Sequence, residues 1–265
     1  MILHAPPGGK EQTMGKVIVV ASGKGGTGKT SFCAGLAVAL CAQGERVLLI
    51  DADAGLRSLD LVLGMPNLLY SYADVAAGTV SMKEAAAVHP VVKNLRVLTA
   101  PASPDGACHL TRGQFAALTD KARDHFTYTI VDCPAGLTEE IAYFGACADE
   151  GIVVATADHT SLRGAQKTAM LFGDMGLARV RIVVNRVRRG MMDKGYSVNI
   201  DRAMDDSGLS LLGVVPDDPD IIACGNQGRV LALSSDGGGQ AAYDNIARRL
   251  LGRRVPLFSG VKVRR

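Results

Sequence analysis

The sequence predicts an α/β fold: a doubly wound, mostly parallel sheet with helices on both faces, in a single domain. Three observations predict it. Short β-branched runs alternate with longer stretches of helical spacing from residue 16 to residue 252. Several of those runs are apolar on both faces, as strands are when helices cover each side of a sheet. The 31 glycines against 10 prolines suit many tight strand-to-helix turns more than a linker-rich chain.

The expected strands are 17–21, 46–51, 95–98, 128–132, 151–156, 180–185 and 212–215, and the expected helices 29–43, 111–125, 138–146, 161–175, 199–206 and 239–251. Gly44, Gly176 and Gly252 follow three of these helices where a left-handed C′ residue belongs. Residues 1–14 lack periodicity and read as a disordered extension, 15–252 as the one folded domain, and 253–265 as a basic C-terminal tail.

Composition excludes several classes. With 265 residues, 48% apolar and 21% charged, the chain is neither a disordered polymer nor a small disulfide scaffold. Its apolar runs fall far short of the roughly 18 to 20 residues of a spanning helix. The cysteines at 33, 41, 108, 133, 147 and 224 form no CxxC and sit among apolar neighbours, as reduced thiols do, so the expected compartment is the cytoplasm. Net charge is +3, but from Ile246 onward there are seven Lys/Arg and no Asp/Glu, which leaves the rest at −4. That asymmetry suits an anionic partner at the C-terminus, a membrane surface or nucleic acid; the alternative is a solvated end.

The chemistry begins directly after the first strand. Gly23-Lys24-Gly25-Gly26-Thr27-Gly28-Lys29-Thr30 matches GxxxxGK[ST] in a strand, loop, helix context. Glycines let backbone N–H groups turn inward around a phosphate, Lys29 reaches the β and γ oxygens, and the Thr30 hydroxyl can ligate Mg²⁺. Asp51 and Asp53 end the second strand on one face of the chain, and Asp132 ends the fourth in Tyr128-Thr129-Ile130-Val131-Asp132-Cys133-Pro134. Carboxyl ends of strands form the ligand crevice of an open parallel sheet, so these acids face the phosphate loop. Helix capping is the alternative reading of Asp53.

A second lysine, Lys24 in KGGTGKT, is more than the general motif requires, and with it the loop resembles that of the MinD/ParA family of dimeric ATPases. The run from Asp51 to Asp60 is similar to the DADxGLRNLD segment of the MinD branch, with Ala54 and Ser58 as mild departures. Asp132-Cys133-Pro134-Ala135-Gly136 agrees with its DxPAG, Val183-Val184-Asn185-Arg186 with VVNR, Gly213 to Asp218 with GxxPxD, and Gly225 to Gly228 with a later NQG. The likeness runs from about Gly15 to Gly252.

The resemblance implies an ATPase that uses Mg²⁺ and forms a homodimer on ATP, with Lys24 reaching across the dimer to the partner's phosphates. It implies ATP contacts from Gly25, Gly26, Thr27, Gly28, Lys29, Thr30 and Ser31, with Asn185, Arg186, Pro216 and Asp217 around the base. It makes Asp53 the residue that orients the attacking water, gives Mg²⁺ to Thr30, Asp51 and Asp132, the acids partly through water, and lets the backbone near Gly136 sense the γ-phosphate. The role implied is spatial regulation of division, septum-site selection, with a division-regulator protein as partner. A flagellar placement regulator, a ParA-type DNA partitioner and an iron–sulfur carrier share the scaffold. Gly164 stands where relatives that bind a division inhibitor lead one to expect an acid. Pro256 and Gly260 interrupt the tail where the MinD branch has an amphipathic membrane helix, so the tail suits weak, peripheral contact with the inner face of the membrane.

Overall fold

In the computed structural model, which describes residues 14–54, 56–101, 110–231 and 238–257, the chain folds from its first described strand into alternating elements around one sheet. The order opens with β1 (Lys16–Ala21), α1 (Lys29–Ala42), β2 (Val47–Asp51), α2 (Leu59–Val62), α3 (Tyr72–Ala77), α4 (Met82–Ala85), β3 (Ala87–Val88) and β4 (Leu95–Leu98). It continues through α5 (Arg112–His125), β5 (Tyr128–Asp132), α6 (Glu139–Ala146), β6 (Glu150–Thr156), α7 (His159–Asp174) and β7 (Val180–Val187). α8 (Arg189–Asp193), α9 (Ile200–Ser207), β8 (Ser210–Pro216), α10 (Pro219–Asn226) and α11 (Gly238–Leu250) complete it.

The sheet order is β3-β4-β2-β5-β1-β6-β7-β8, and every pairing is parallel except that of β3 with β4. Chain direction across the sheet therefore reverses around β1, and a crevice opens beyond its carboxyl end. Strand alternation divides the core. Val17, Val19 and Ala21 pack with Phe115, Phe144, Leu162 and Phe172 on one face, and Ile18 and Val20 pack with Phe32, Leu36, Leu59 and Tyr243 on the other. Burial on both faces is why these strands read as continuous apolar runs rather than alternating ones.

The expected strands and helices are present, each end within two residues of its expected place, and Gly44, Gly176 and Gly252 do lie at positive φ. Helices α2, α3, α4, α8 and α10, and the two-residue β3, were not foreseen. The four helices of four to six residues are too short for a 3.6-residue period to register, and β3 is too short to show alternation. By contrast α10, as long as α6 and α9, was missed behind the strand-end turn read at Pro216 to Asp218. Caps make up for that: Ser71 and Asp74 form a capping box on α3, Ser81 caps α4, and Asp218 caps α10 ahead of Pro219.

The tail expected from residue 253 begins bound to the body. Arg249 donates to the Val255 carbonyl (2.9 Å) and to the Leu212 carbonyl of β8 (3.0 Å), Arg253 donates to Gln43 Oε1 (3.0 Å), and Leu257 packs against the core. Residues 258–265, like 1–13, Gly55 and Cys108, lie outside the described residues, and with them the expectations placed there. Among the described residues no helix is long and apolar enough to cross a membrane.

Candidate nucleotide site

The glycine-rich loop joins β1 to α1, so it sits between the ends of β5 and β6. Gly26 (φ 78°) and Gly28 (φ 83°) take left-handed conformations, which L side chains rarely adopt. Gly28 has a second reason to be glycine, because a Cβ there would come 2.6 Å from Asn185 Nδ2. A Cβ on Gly25 or Gly26 would meet nothing within 4 Å, so the loop is open above its backbone. The amino end of α1 points its unpaired N–H groups and partial positive charge into that space.

Lys29, the first residue of α1, is buried and its ammonium bonds Asp132 Oδ1. Burial alone would depress the lysine, but the Asp132 carboxylate overcomes it and the pKa rises above the ordinary value, so Lys29 stays charged. Asp132 is 1% exposed, and its second oxygen, Oδ2, has no partner. Asp51 stands directly across the β2–β5 ladder from it. Asp51 Oδ1 accepts from the Asp53 N–H and Oδ2 from the Leu59 N–H, both at 3.0 Å. Burial, reinforced by the Asp132 charge, nevertheless pushes Asp51 up to about 7.

Two buried carboxylates thus stand side by side, only Asp132 is paired with the Lys29 ammonium, and one Asp132 oxygen is left unsatisfied. An unpartnered buried charge is costly, and a hydrated divalent cation would remove that cost. The donor set fits Mg²⁺: Asp132 and Asp51 through its water shell, with the half-buried Thr30 hydroxyl one residue beyond Lys29. The thiols beside them stay protonated. Cys33 Sγ lies 3.5 Å from Asp132 Oδ1 and is raised well above its ordinary pKa by burial, while burial pushes Cys133 up to about 12.

Asp53 is half-buried at the crevice mouth, where Oδ1 accepts from the Leu56 N–H at 3.3 Å. It therefore holds the turn after β2 and does not cap α2, whose N-cap is Ser58. Lys24 is half-exposed, 3.7 Å from Asp158 at the N-cap of α7. Burial alone would raise Asp158, but the Thr156 hydroxyl, the Ser161 N–H and Lys24 together bring it below its ordinary value. Sequence reasoning missed Asp158. An acid ahead of a helical run is a readable cap signal, yet nothing local ties it to Lys24.

Of the residues expected around the base, Asn185 and Arg186 reach the loop. Asn185 Nδ2 donates to the Thr27 carbonyl (2.8 Å) and its Oδ1 accepts from the Arg186 N–H (2.9 Å), which ties the end of β7 to the phosphate loop. Arg186 sits at φ 56°, a conformation few non-glycine residues hold. Asp217 pairs with Arg186 (3.6 Å) and Arg188 just beyond the buried Pro216. Ser31 faces a crevice shared with Leu231 and Tyr243. The Gly136 N–H donates to the Ser22 carbonyl at 3.1 Å, which links the turn after β5, whose backbone was expected near the γ-phosphate, to the root of the loop.

Residues 18–231 match the family model described as the CobQ/CobB/MinD/ParA nucleotide binding domain. The chain belongs to the MinD/ParA family. This MinD/ParA chain is 36% identical over 246 residues to the septum site-determining protein MinD of Bacillus subtilis, covering 92% of each protein. It is 37% identical over 248 residues to that of Thermotoga maritima, covering 92% of this chain and 91% of the relative. Among solved structures it is similar to the MinD of the MinC:MinD cell division complex of Aquifex aeolicus, with TM-score 0.85, 29% identity and coverage of 91% of this chain and 98% of that one. It is also similar to the Pyrococcus horikoshii septum site-determining protein complexed with Mg-ADP, with TM-score 0.80, 27% identity and coverage of 89% and 96%. The family is one of phosphate-loop ATPases, and the likeness is to its cell-division regulators.

Proposed function

We propose that this chain is a Mg²⁺-dependent ATPase that dimerises on ATP and acts in the selection of the division site. The observation that carries the reading is the Lys29–Asp132–Asp51 group, in which a buried carboxylate oxygen beside the phosphate-loop lysine has no partner. The MinD relatives support the biological role, and the Aquifex complex supports a division-regulator protein as partner.

In this mechanism the Gly25 to Thr30 backbone holds the β-phosphate, with Ser31 following in the first turn of α1, and Lys29 spreads its charge over the β and γ oxygens. When bound, Mg²⁺ neutralises charge that develops on the phosphates. Asp53 lies at the crevice mouth with one oxygen held by Leu56, so its carboxylate can accept from a water in line with the γ-phosphate. Lys24 is held by an exposed pair, an interaction worth about 0–1 kcal/mol, and is free to exchange Asp158 for phosphates across a dimer. Asn185, Arg186, Pro216 and Asp217 are assigned to the base, and Asn185 also fixes the loop itself. The basic tail supports weak attachment to the inner face of the cell membrane, a cytoplasmic protein making peripheral contact; nucleic acid is the less favoured anionic partner.

Phosphate release from ATP with and without Mg²⁺, together with sedimentation velocity in ATP and in ADP, tests the reading. Slow Mg²⁺-dependent turnover and a dimer in ATP alone are expected. A monomer in both nucleotides, or turnover indifferent to Mg²⁺, overturns it.

A further inference from the structure

A second cavity lies at the opposite end of the sheet from the phosphate loop. It measures about 300 Å³ and is lined by Arg46, Lys83, Lys93, Asn94, Arg96 and His125, with Phe126 at its base. These groups come from separate places in the chain. Arg46 precedes β2, Lys83 is on α4, Lys93 and Asn94 precede β4, Arg96 is on β4, and His125 ends α5. No carboxylate lines the cavity, and among the described residues none of its four Lys/Arg forms an ion pair. Apart from its last 20 residues the chain is net acidic, so four unpaired cations and a histidine converging on one cavity depart from the surrounding charge.

The cavity is held rigid by backbone bonds. Arg96 Nη1 donates to the carbonyls of Ala86 (3.0 Å) and Lys83 (3.4 Å), which leaves the rest of its guanidinium for the cavity. The Asn94 carbonyl accepts from the Val47 N–H (3.0 Å), and the Arg46 carbonyl accepts from the Thr127 N–H (2.9 Å). Arg253, bonded to Gln43, brings the root of the basic tail to this same end, three residues from Arg46.

We propose that this cavity is a second anion site, for a phosphate-bearing ligand, separate from the nucleotide site. An arginine fork and two lysines with no carboxylate to neutralise them suit the tetrahedral oxygens of a phosphate ester. A lipid headgroup and a free pyrophosphate or phosphate ester share that chemistry. The proposal does not rest on the ATPase reading, because its ligand is measured with the phosphate loop already filled.

The test uses the full chain saturated with Mg-ADP. Inorganic pyrophosphate is titrated by calorimetry, and flotation is measured with vesicles of equal parts phosphatidylglycerol and phosphatidylcholine against phosphatidylcholine alone. Lys93→Ala with Arg96→Ala should weaken binding roughly fivefold for each charge removed, the change that goes with ~1 kcal/mol per basic residue, and leave the ATPase rate unchanged. The exposed Lys83→Glu, which keeps the Arg96 contacts to carbonyl groups, should weaken it further and guards against a folding defect. Loss in the pyrophosphate arm assigns a soluble phosphate, and loss confined to the phosphatidylglycerol arm assigns a lipid headgroup. Wild-type affinity of both variants in both arms, or no binding by the wild-type chain in either, overturns the proposal.

Discussion

A Cβ placed on Gly23, the first residue of the phosphate loop, would come 2.3 Å from the carbonyl carbon of Gly164 in α7. The reverse approach is looser: a Cβ on Gly164 would come 3.1 Å from Gly23. Both neighbours are backbone and cannot rotate aside. Neither glycine has a positive φ, so close approach alone demands glycine at 23 and leaves little room for a side chain at 164. The same contact suits glycine at 164, where an acid was expected by resemblance.

Gly23→Ala should therefore displace the loop against α7. Overpacking of this kind costs about 1–3 kcal/mol, and ATP affinity should fall at least about tenfold as the loop N–H groups lose register. Gly164→Asp should have a milder effect of the same sign. A fluorescent ATP analogue measures both, and a Gly23→Ala chain that binds it as tightly as wild type would remove the steric argument.

The carboxylates behind the loop set the second expectation. Asp132→Asn leaves the buried Lys29 ammonium without its counter-charge. Breaking a buried pair costs about 3–5 kcal/mol. It also lifts the like charge that raises Asp51, so Asp51 should titrate lower in the variant. A clear drop in urea midpoint and loss of Mg²⁺ dependence in nucleotide binding are expected, and an unchanged midpoint would argue that the pair is not buried as described.

Asp53→Ala should keep ATP binding and lose turnover, because the phosphate cradle does not depend on that side chain. Misplacing the attacking water costs about 100-fold in rate. The Leu56 N–H that Asp53 holds is at a half-open turn, so the stability change should be small. Single-turnover hydrolysis separates the two effects, and wild-type turnover would leave Asp53 with a purely structural role.

How much of this could be read in advance depends on how local each signal is. The strand, loop, helix context of Lys29 is contiguous, so motif spacing alone places it. Asp51 and Asp132 are 81 positions apart in the chain, yet both end strands, and parallel order brings the ends of strands to one edge. Asp158, Gly164 and the Arg46–Arg96 cavity have no such signature. Each owes its place to a partner distant in sequence: Lys24, the Gly23 backbone, and the β2, β4 and α5 termini. The bond from the Gly136 N–H to the Ser22 carbonyl is hidden for a related reason, since a motif does not show which nearby carbonyl the N–H meets.

The two loop lysines should separate in one experiment. Lys29 is buried against Asp132, whereas Lys24 is half-exposed and held only by Asp158. Lys29→Ala should abolish nucleotide affinity. Lys24→Ala should bind nucleotide and fail to dimerise in sedimentation velocity with ATP; a normal Lys24→Ala dimer would contradict the cross-dimer role.

The last expectation concerns pH and lies away from the nucleotide. His89, buried in the turn between β3 and β4, accepts the N–H groups of Val91 (3.2 Å) and Val92 (3.0 Å) at Nδ1. Only a neutral ring nitrogen can accept. Burial holds the imidazole below its ordinary 6.5, against a smaller upward pull from the Leu63 backbone. The folded chain thus keeps His89 neutral while the unfolded chain takes up a proton as pH falls below about 6.5. Where the unfolded state binds more protons, stability rises with pH. The His89 contribution is complete above 6.5 and is lost as pH falls through 6.5 towards the depressed folded value. His89→Asn retains a side-chain acceptor two residues from the Val91 N–H and does not titrate. Urea midpoints of the two chains should differ most near about pH 8 and converge near about pH 5. Other groups, such as Asp74 and Asp158, titrate lower and alike in both chains, so they cancel in the difference. A gap that stays constant across this range would show that the imidazole does not change protonation on unfolding, and that the β3–β4 turn is held by something other than its neutral form.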